Sequence, residues 1–203
     1  MTKVKQSWLV VGIVLLALVL DQVSKVYIKT HFELGEAREV FSWFWIVFVE
    51  NNGMAFGIEW FSKLLLTLFR IAAVGVLGWY IHTMIHKQTV RTGYLTSIAM
   101  VIAGALGNII DCVFYGVIFD HSFGQVAQFF PPDGGYAPLF YGKVVDMLYF
   151  PLIRNAAGEV LFFRPVFNIA DSFITVAVFL IIIFYRKDLD VSLNHIFPKK
   201  EKH

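Results

Sequence analysis

Four stretches of the chain are apolar almost without interruption, and aromatic, polar or Gly- and Pro-bearing segments separate them. They run roughly over 8–28, 64–85, 94–115 and 166–185. Each matches the roughly 20 residues that a helix rising about 1.5 Å per residue needs to cross a hydrocarbon layer about 30 Å thick. The pattern predicts four transmembrane helices, because a helix satisfies its own backbone hydrogen bonds where no water is available. Lys3 and Lys5 precede the first stretch, as they would the core of a cleaved leader. No small-residue cleavage site follows, however, and the segment runs on through Asp21-Gln-Val-Ser-Lys25, so it reads as a span.

The polar connections give an orientation. Lys3 and Lys5, the loop from His86-Lys87 to Arg91, and Arg186, Lys187, Lys199, Lys200 and Lys202 all fall on one side of a four-span plan. The excess of Lys and Arg in cytoplasmic loops puts that side, with both termini, in the cytoplasm. Residues 29–63 and 116–165 then face outward. Residues 40–50 are dense in aromatic and β-branched side chains, which predicts strand pairing at the membrane surface, either as an anchor or as a platform guiding a membrane-bound substrate. Phe129-Phe-Pro-Pro-Asp-Gly-Gly-Tyr136 predicts an irregular loop. With no linker or repeat to divide it, the chain is expected to form a single integral membrane domain over 1–203. The fold class is all-α, four transmembrane helices with a small β-rich platform and a long second loop on the outer face.

Composition agrees: 58% of the 203 residues are hydrophobic and 16% charged. A net charge of +2, with the bases at the chain ends and one short loop, excludes a nucleic-acid surface and leaves membrane lipids as the surroundings. Cys112 is the only cysteine, so the chain forms no internal disulfide and no cysteine-cluster metal site.

Ionisable groups inside a bilayer are costly and usually face a bundle interior. Asp21 and Lys25, at i and i+4, share a helix face and permit an ion pair, which would pin the first helix or serve chemistry. Asn108 with Asp111 and Asn168 with Asp171 repeat an i, i+3 pattern near the outer ends of the third and fourth spans. Asp146 lies in the outer segment and can return to the same level. Several carboxylates at one depth fit two uses. A pair sharing a site splits its protonation states and activates water without metal, as in aspartic proteases. Alternatively, acids line a proton path, as in a small proton-coupled transporter, although those acids would favour the midplane. A third reading is a structural subunit with polar glue between helices. His82 and His86 stand at metal-ligand spacing, but without the Glu of a zinc-protease motif they read as interfacial residues. Cys112 reads as a helix-packing residue, and Arg70 as a side chain that snorkels or pairs with an acid.

Taken together, these blocks resemble lipoprotein signal peptidase, or signal peptidase II. Asp21-Gln-Val-Ser-Lys25 resembles its first block, Asn51-Asn-Gly-Met-Ala-Phe56 its Asn-Thr-Gly-Ala-Ala-Phe, and Gly104-Ala-Leu-Gly-Asn-Ile-Ile-Asp111 its Gly-Ala-Leu-Gly-Asn-x-x-Asp-Arg. Lys143-Val-Val-Asp-Met147 resembles Val-Val-Asp-Phe, and Phe167-Asn-Ile-Ala-Asp-Ser172 resembles Phe-Asn-x-Ala-Asp-Ser. Five blocks in the family's order span residues 21–172. Two departures stand out: Cys112 replaces the family's usual Arg, and the stretch between Asp111 and Asp146 is longer than usual.

The resemblance implies an aspartyl endopeptidase of the bacterial inner membrane, active at the periplasmic face. It would remove the signal peptide from diacylglyceryl-modified prolipoproteins by cutting just before the lipidated cysteine. It implies Asp146 and Asp171 as the catalytic pair, where spacing alone would not have selected Asp146 over Asp111. Asp21, Lys25, Asn51, Asn108, Asp111 and Asn168 would shape the pocket and contact substrate. No metal or organic cofactor is implied, and peptide antibiotics such as globomycin are implied as inhibitors.

Overall fold

Helix α1 (Lys3–His31) begins where Thr2 Oγ1 accepts the Lys5 amide, runs through an aliphatic stretch, and stops where Phe32 turns extended. Helix α2 (Trp60–Lys87) and helix α3 (Thr92–Ile110) follow, the latter continuing as a π-helical segment (Asp111–Tyr115) and a final turn α4 (Gly116–Ile118). Helix α5 (Ile169–Phe184) bends by 92° at Tyr185 into α6 (Arg186–Ile196). This computed structural model describes residues 1–52, 60–87, 89–155, 160–162 and 165–197. The Gly53–Phe56 part of the second sequence block lies outside them.

Among the described residues three helices are long and apolar enough to cross a membrane, or four spans if the bent pair α5–α6 is counted as one. The fourth stretch was expected as one helix over 166–185. Instead Phe167 pairs with Leu148 and Asn168 caps the helix, so α5 starts at Ile169. The tail after Tyr185 is not a plain extension. In α6, Asp188 accepts from Arg91 Nε and from the Arg91 amide, both at 2.8 Å, and Ser192 accepts from Tyr80 Oη at 2.5 Å. These bonds fold α6 back over the ends of α2 and α3.

α3 is the central helix and packs against α1, α2 and α5. Small residues permit the close approach. A Cβ on Gly107 would meet Asp21 Oδ2 at 2.5 Å and Ala170 Cβ at 3.1 Å, and one on Gly104 would meet Ile174 Cγ1 at 2.6 Å. The outer faces of α1, α2 and α5 expose Leu16, Val19, Phe69, Val76, Phe179 and Ile183, as helices facing lipid should.

The expected strand pairing is present. β1 (Ala37–Phe41) and β2 (Phe44–Asn51) form an antiparallel hairpin, and β2 also pairs antiparallel with β3 (Val144–Tyr149), giving a three-stranded sheet in the order β1-β2-β3. β4 (Ile153–Arg154) and β5 (Val160–Phe162) pair separately. One buried cluster gathers Tyr80, Met84, Tyr94 and Ile98 at the α6 end, and another gathers Ile28, Phe48, Tyr115 and Val145 at the sheet end. Along α1 and α3, the polar residues Asp21, Lys25, Asn108 and Asp111 fall between the two clusters.

Candidate active site

Asp146 is carried to the bundle by the sheet. In the β2–β3 register Val49 lies opposite Asp146 and Asn51 opposite Val144, so Asn51 and Asp146 are diagonal neighbours on one face. Asn51 Nδ2 accordingly donates to Asp146 Oδ2 at 3.2 Å. Phe167 then zips onto the other edge of β3: Met147 N and Leu148 N both donate to Phe167 O, and Phe167 N donates to Leu148 O. That pairing delivers the next residue, Asn168, to Asp146.

Asn168 is fully buried and joins both candidate catalytic acids. Its Oδ1 accepts the Asp171 amide at 2.9 Å while the Asp171 carboxylate accepts the Asn168 amide, a reciprocal capping box that starts α5. Its Nδ2 donates to Asp146 Oδ1 at 2.7 Å and to Asn108 Oδ1 at 3.1 Å. Asn108 Nδ2 donates in turn to Asp171 Oδ1 at 2.8 Å.

The orientation of Asn108 is dictated from below. Lys25 is wholly buried, and its ammonium places one donor on each of Asp21 Oδ2 (2.9 Å), Asp111 Oδ2 (2.8 Å) and Asn108 Oδ1 (2.9 Å). A lysine has three donors and no acceptor, so the Asn108 oxygen must face it and the amide nitrogen must face Asp171. Asp21 Oδ1 accepts the Ala170 amide at 2.9 Å, satisfying an otherwise orphaned donor in the first turn of α5. Asp111 Oδ2 accepts the Val145 amide at 3.3 Å, beside Asp146. The three helix faces and Asp146 therefore meet in one network.

Two contributors were not singled out in the sequence. Gln22 Nε2 lies within hydrogen-bond distance of Asp21 Oδ2, Asp111 Oδ1 and the Gly107 carbonyl, and its Oε1 accepts from Tyr115 Oη. The other is a second buried charge cluster, Lys29–Glu50–Lys143, in which Glu50 precedes Asn51 on β2 and Lys143 precedes β3. Cys112 is buried at 2% exposure, as a packing residue should be, and Arg70 reaches its sulfur instead of an acid. His82 and His86 sit ring against ring, 4.3 Å apart, near the end of α2 remote from the site.

Asp146 is 2% exposed. Burial pushes its pKa up to about 6, the neighbouring charge of Asp171 adds to this, and the Asn51 and Asn168 donors and Lys25 act against it. The two carboxyl groups lie in unlike environments, Asp146 buried on a strand and Asp171 in the first turn of a helix.

Known proteins resemble this chain over most of its length. The family model for Signal peptidase (SPase) II matches residues 13–186. The chain belongs to the signal peptidase II family. It is 44% identical over 203 residues to the lipoprotein signal peptidase of Porphyromonas gingivalis, covering 96% of this chain and 90% of that protein. It is 34% identical over 193 residues to that of Amoebophilus asiaticus, covering 88% and 78%. Two solved bacterial membrane enzyme structures, obtained by the in meso method at 2.3 and 1.9 Å resolution, superpose with TM-scores of 0.60 and 0.61 at 27% and 28% identity. The first covers 96% of this chain and 93% of that one, the second 88% and 93%. The chain is thus a membrane-embedded lipoprotein signal peptidase that removes signal peptides from prolipoproteins, which decides against the transporter and structural-subunit readings.

Proposed function

We propose that the enzyme is an aspartyl endopeptidase in which Asp146 and Asp171 form the catalytic pair, cutting just before a diacylglyceryl-modified cysteine. The observation that carries this reading is Asn168, whose amide touches Asp146 on one side and caps Asp171 on the other. Asp171 sits in the first turn of α5, where its carboxylate accepts the Asn168 amide and the Asn108 side-chain amide. It takes a proton from water as the base. Asp146, whose burial favours the neutral form, donates to the scissile carbonyl. The tetrahedral diol then collapses, and the two acids exchange roles as the amine leaves. Asp21, Lys25, Asn51, Asn108, Asp111 and Asn168 hold the pair and line its pocket.

In this reading α5 completes the fourth span, 1–203 is one membrane domain, and both termini are cytoplasmic. The sheet and the site lie at the outer face. The substrate's own lipid then holds the scissile bond at the height of the pair, reducing the search to the membrane plane. Globomycin-like peptides would compete at the same pocket.

The test uses purified full-length enzyme in detergent and a diacylglyceryl-modified signal peptide. Asp146→Asn or Asp171→Asn is expected to lower kcat by at least about a thousandfold with binding still measurable, and the double variant to lose no more than either single one. Asp111→Asn should keep measurable turnover. Normal cleavage by Asp146→Asn, with Asp111→Asn folded and inactive, would move the pair to Asp111 and Asp171.

A further inference from the structure

Position 112 is where the resemblance to the family motif calls for an arginine, and here it holds a cysteine, the second residue of the π-helical segment Asp111–Tyr115. π-helical turns inside α-helices recur at functional sites. A cation is nevertheless present there, delivered from another helix. Arg70 of α2 points Nη1 at Cys112 Sγ, 3.4 Å away, and among the described residues this is the guanidinium's one hydrogen bond. A thiol is a weak acceptor, and among the described residues four of the five guanidinium donors have no acceptor. Neither Arg70 nor Lys63, two turns earlier on the same helix face and buried, forms an ion pair among the described residues. Cys112, Lys143, Glu50 and Arg70 are the charged or ionisable groups that bear on Lys63, so these side chains share one neighbourhood. Thr67, between the two cations, donates its hydroxyl to the Lys63 carbonyl. A half-buried guanidinium in a membrane helix calls for an acceptor.

We propose that Arg70 supplies from α2 the guanidinium that the motif would place at position 112, and that its free donors hold a peptide carbonyl of the prolipoprotein beside the lipidated cysteine. The distance from the pair is short in bonds: Cys112 follows Asp111, whose carboxylate accepts from Lys25 and from the amide next to Asp146. From α2 the long Arg70 side chain reaches the Cys112 sulfur across the helix interface. Arg70 is then a substrate-binding residue, and a planar fork suits a carbonyl-rich peptide better than an ammonium does.

The inference rests on the Asp146–Asp171 reading only for where the scissile bond lies, and its test is separate. Purified full-length enzyme, Arg70→Met, Arg70→Lys and the double variant Arg70→Met/Cys112→Arg are compared on a diacylglyceryl-modified signal peptide for KM, kcat and unfolding temperature in detergent. Arg70→Met, an apolar change suited to a membrane helix, is expected to raise KM about tenfold or more with kcat changed less than about threefold. Arg70→Lys is expected to recover only part of that loss. The double variant, which returns the guanidinium to position 112, should restore KM to within about threefold of the parent. An unchanged KM in Arg70→Met overturns the proposal. So does a double variant no better than the single one, or a loss that appears in unfolding temperature and kcat alone. Inactive or active Asp146→Asn and Asp171→Asn bear on the catalytic pair and leave this KM comparison standing.

Discussion

At the scale of single residues the site is arranged by counting donors. Lys25 has three and spends them on Asp21, Asp111 and Asn108. The asparagines, whose two ends differ, relay that polarity to Asp171 and Asp146. Removing one partner of a buried ion pair typically costs about 3–5 kcal/mol because a charge is left uncompensated, so Lys25 holds both the fold and the orientation of Asn108. The protonation of Asp146 gives a measurable consequence. Its pKa is raised from the ordinary carboxylate value to about 6, so the stabilisation tied to the neutral form is complete at low pH and is lost as pH rises through about 6. The proposed mechanism needs Asp146 neutral and Asp171 ionised, and kcat/KM reports the free enzyme. A bell-shaped profile is therefore expected, with its basic limb centred near pH 6. Asn51→Ala removes a donor that favours the ionised form, so it should move that limb to higher pH. A limb that stays in place in Asn51→Ala, measured from pH 4.5 to 8 on the diacylglyceryl peptide, would show that Asp146 does not set it.

At the scale of elements, the long segment between α4 and β3 is held by the second charge cluster. Lys29, wholly buried in the last turns of α1, donates to Glu50 Oε1 at 2.5 Å and to Ser122 Oγ at 2.7 Å, and lies over the rings of Phe48, Phe119 and Tyr136. Lys143 donates to Glu50 Oε2 at 2.9 Å, and its amide donates to Tyr136 Oη at 2.6 Å. Burial pushes the Glu50 carboxyl up, but Lys29 and Lys143 outweigh it and hold the pKa below the ordinary value. The stabilisation is thus present above the ordinary Glu range and is lost as pH falls through the lowered one. Amide hydrogen exchange over 119–143, relative to the intrinsic rate at each pH, should quicken on acidification. In Glu50→Gln it should already be fast at neutral pH, since a buried lysine loses its charge partner at a cost of about 3–5 kcal/mol. Equal protection in parent and variant would mean that the loop is held by its aromatic packing alone. The sequence made some of these elements legible and hid others for definite reasons. The aromatic and β-branched run at 40–50 announced the hairpin, and the i, i+3 pairs Asn108/Asp111 and Asn168/Asp171 announced two polar helix faces. β3 was not foreseen, because its partner β2 lies about a hundred residues away and its six residues sit among irregular chain. Asp146 was therefore selected by family resemblance and not by its surroundings. α6 was missed because eleven largely polar residues carry no span signal.

At the scale of the molecule, two ends of the bundle differ in a way that an orientation must respect. The sheet end exposes Phe41, Trp43, Phe123 and Phe130, aromatic groups suited to a lipid–water boundary, and Phe41, Trp43, Phe44 and Phe150 form a run of ring contacts along the hairpin. The opposite end carries Lys3, Lys5, Lys87, Arg91, Arg186 and Lys187, and α6 lies across it at 92° to α5, as a helix resting on an interface would. In the proposed orientation, with the Lys and Arg near span ends retained in the cytoplasm, the sheet, Asp146 and the 119–143 segment are expected outside. Impermeant maleimide applied to spheroplasts reads this directly, because the one native thiol, Cys112, is buried and gives a low background. Glu39→Cys on β1 and Asp133→Cys in the long segment, both exposed positions, should label in intact spheroplasts. Lys187→Cys, exposed on α6, should label only after permeabilisation. The three sites together also count spans. Lys187 on the same side as Asp133 would mean that α5 and α6 do not cross, leaving a three-span chain whose site is sealed by a helix that turns back. Labelling of Lys187 alone in intact spheroplasts would invert the orientation and put the acids on the wrong side for an exported, lipid-anchored substrate.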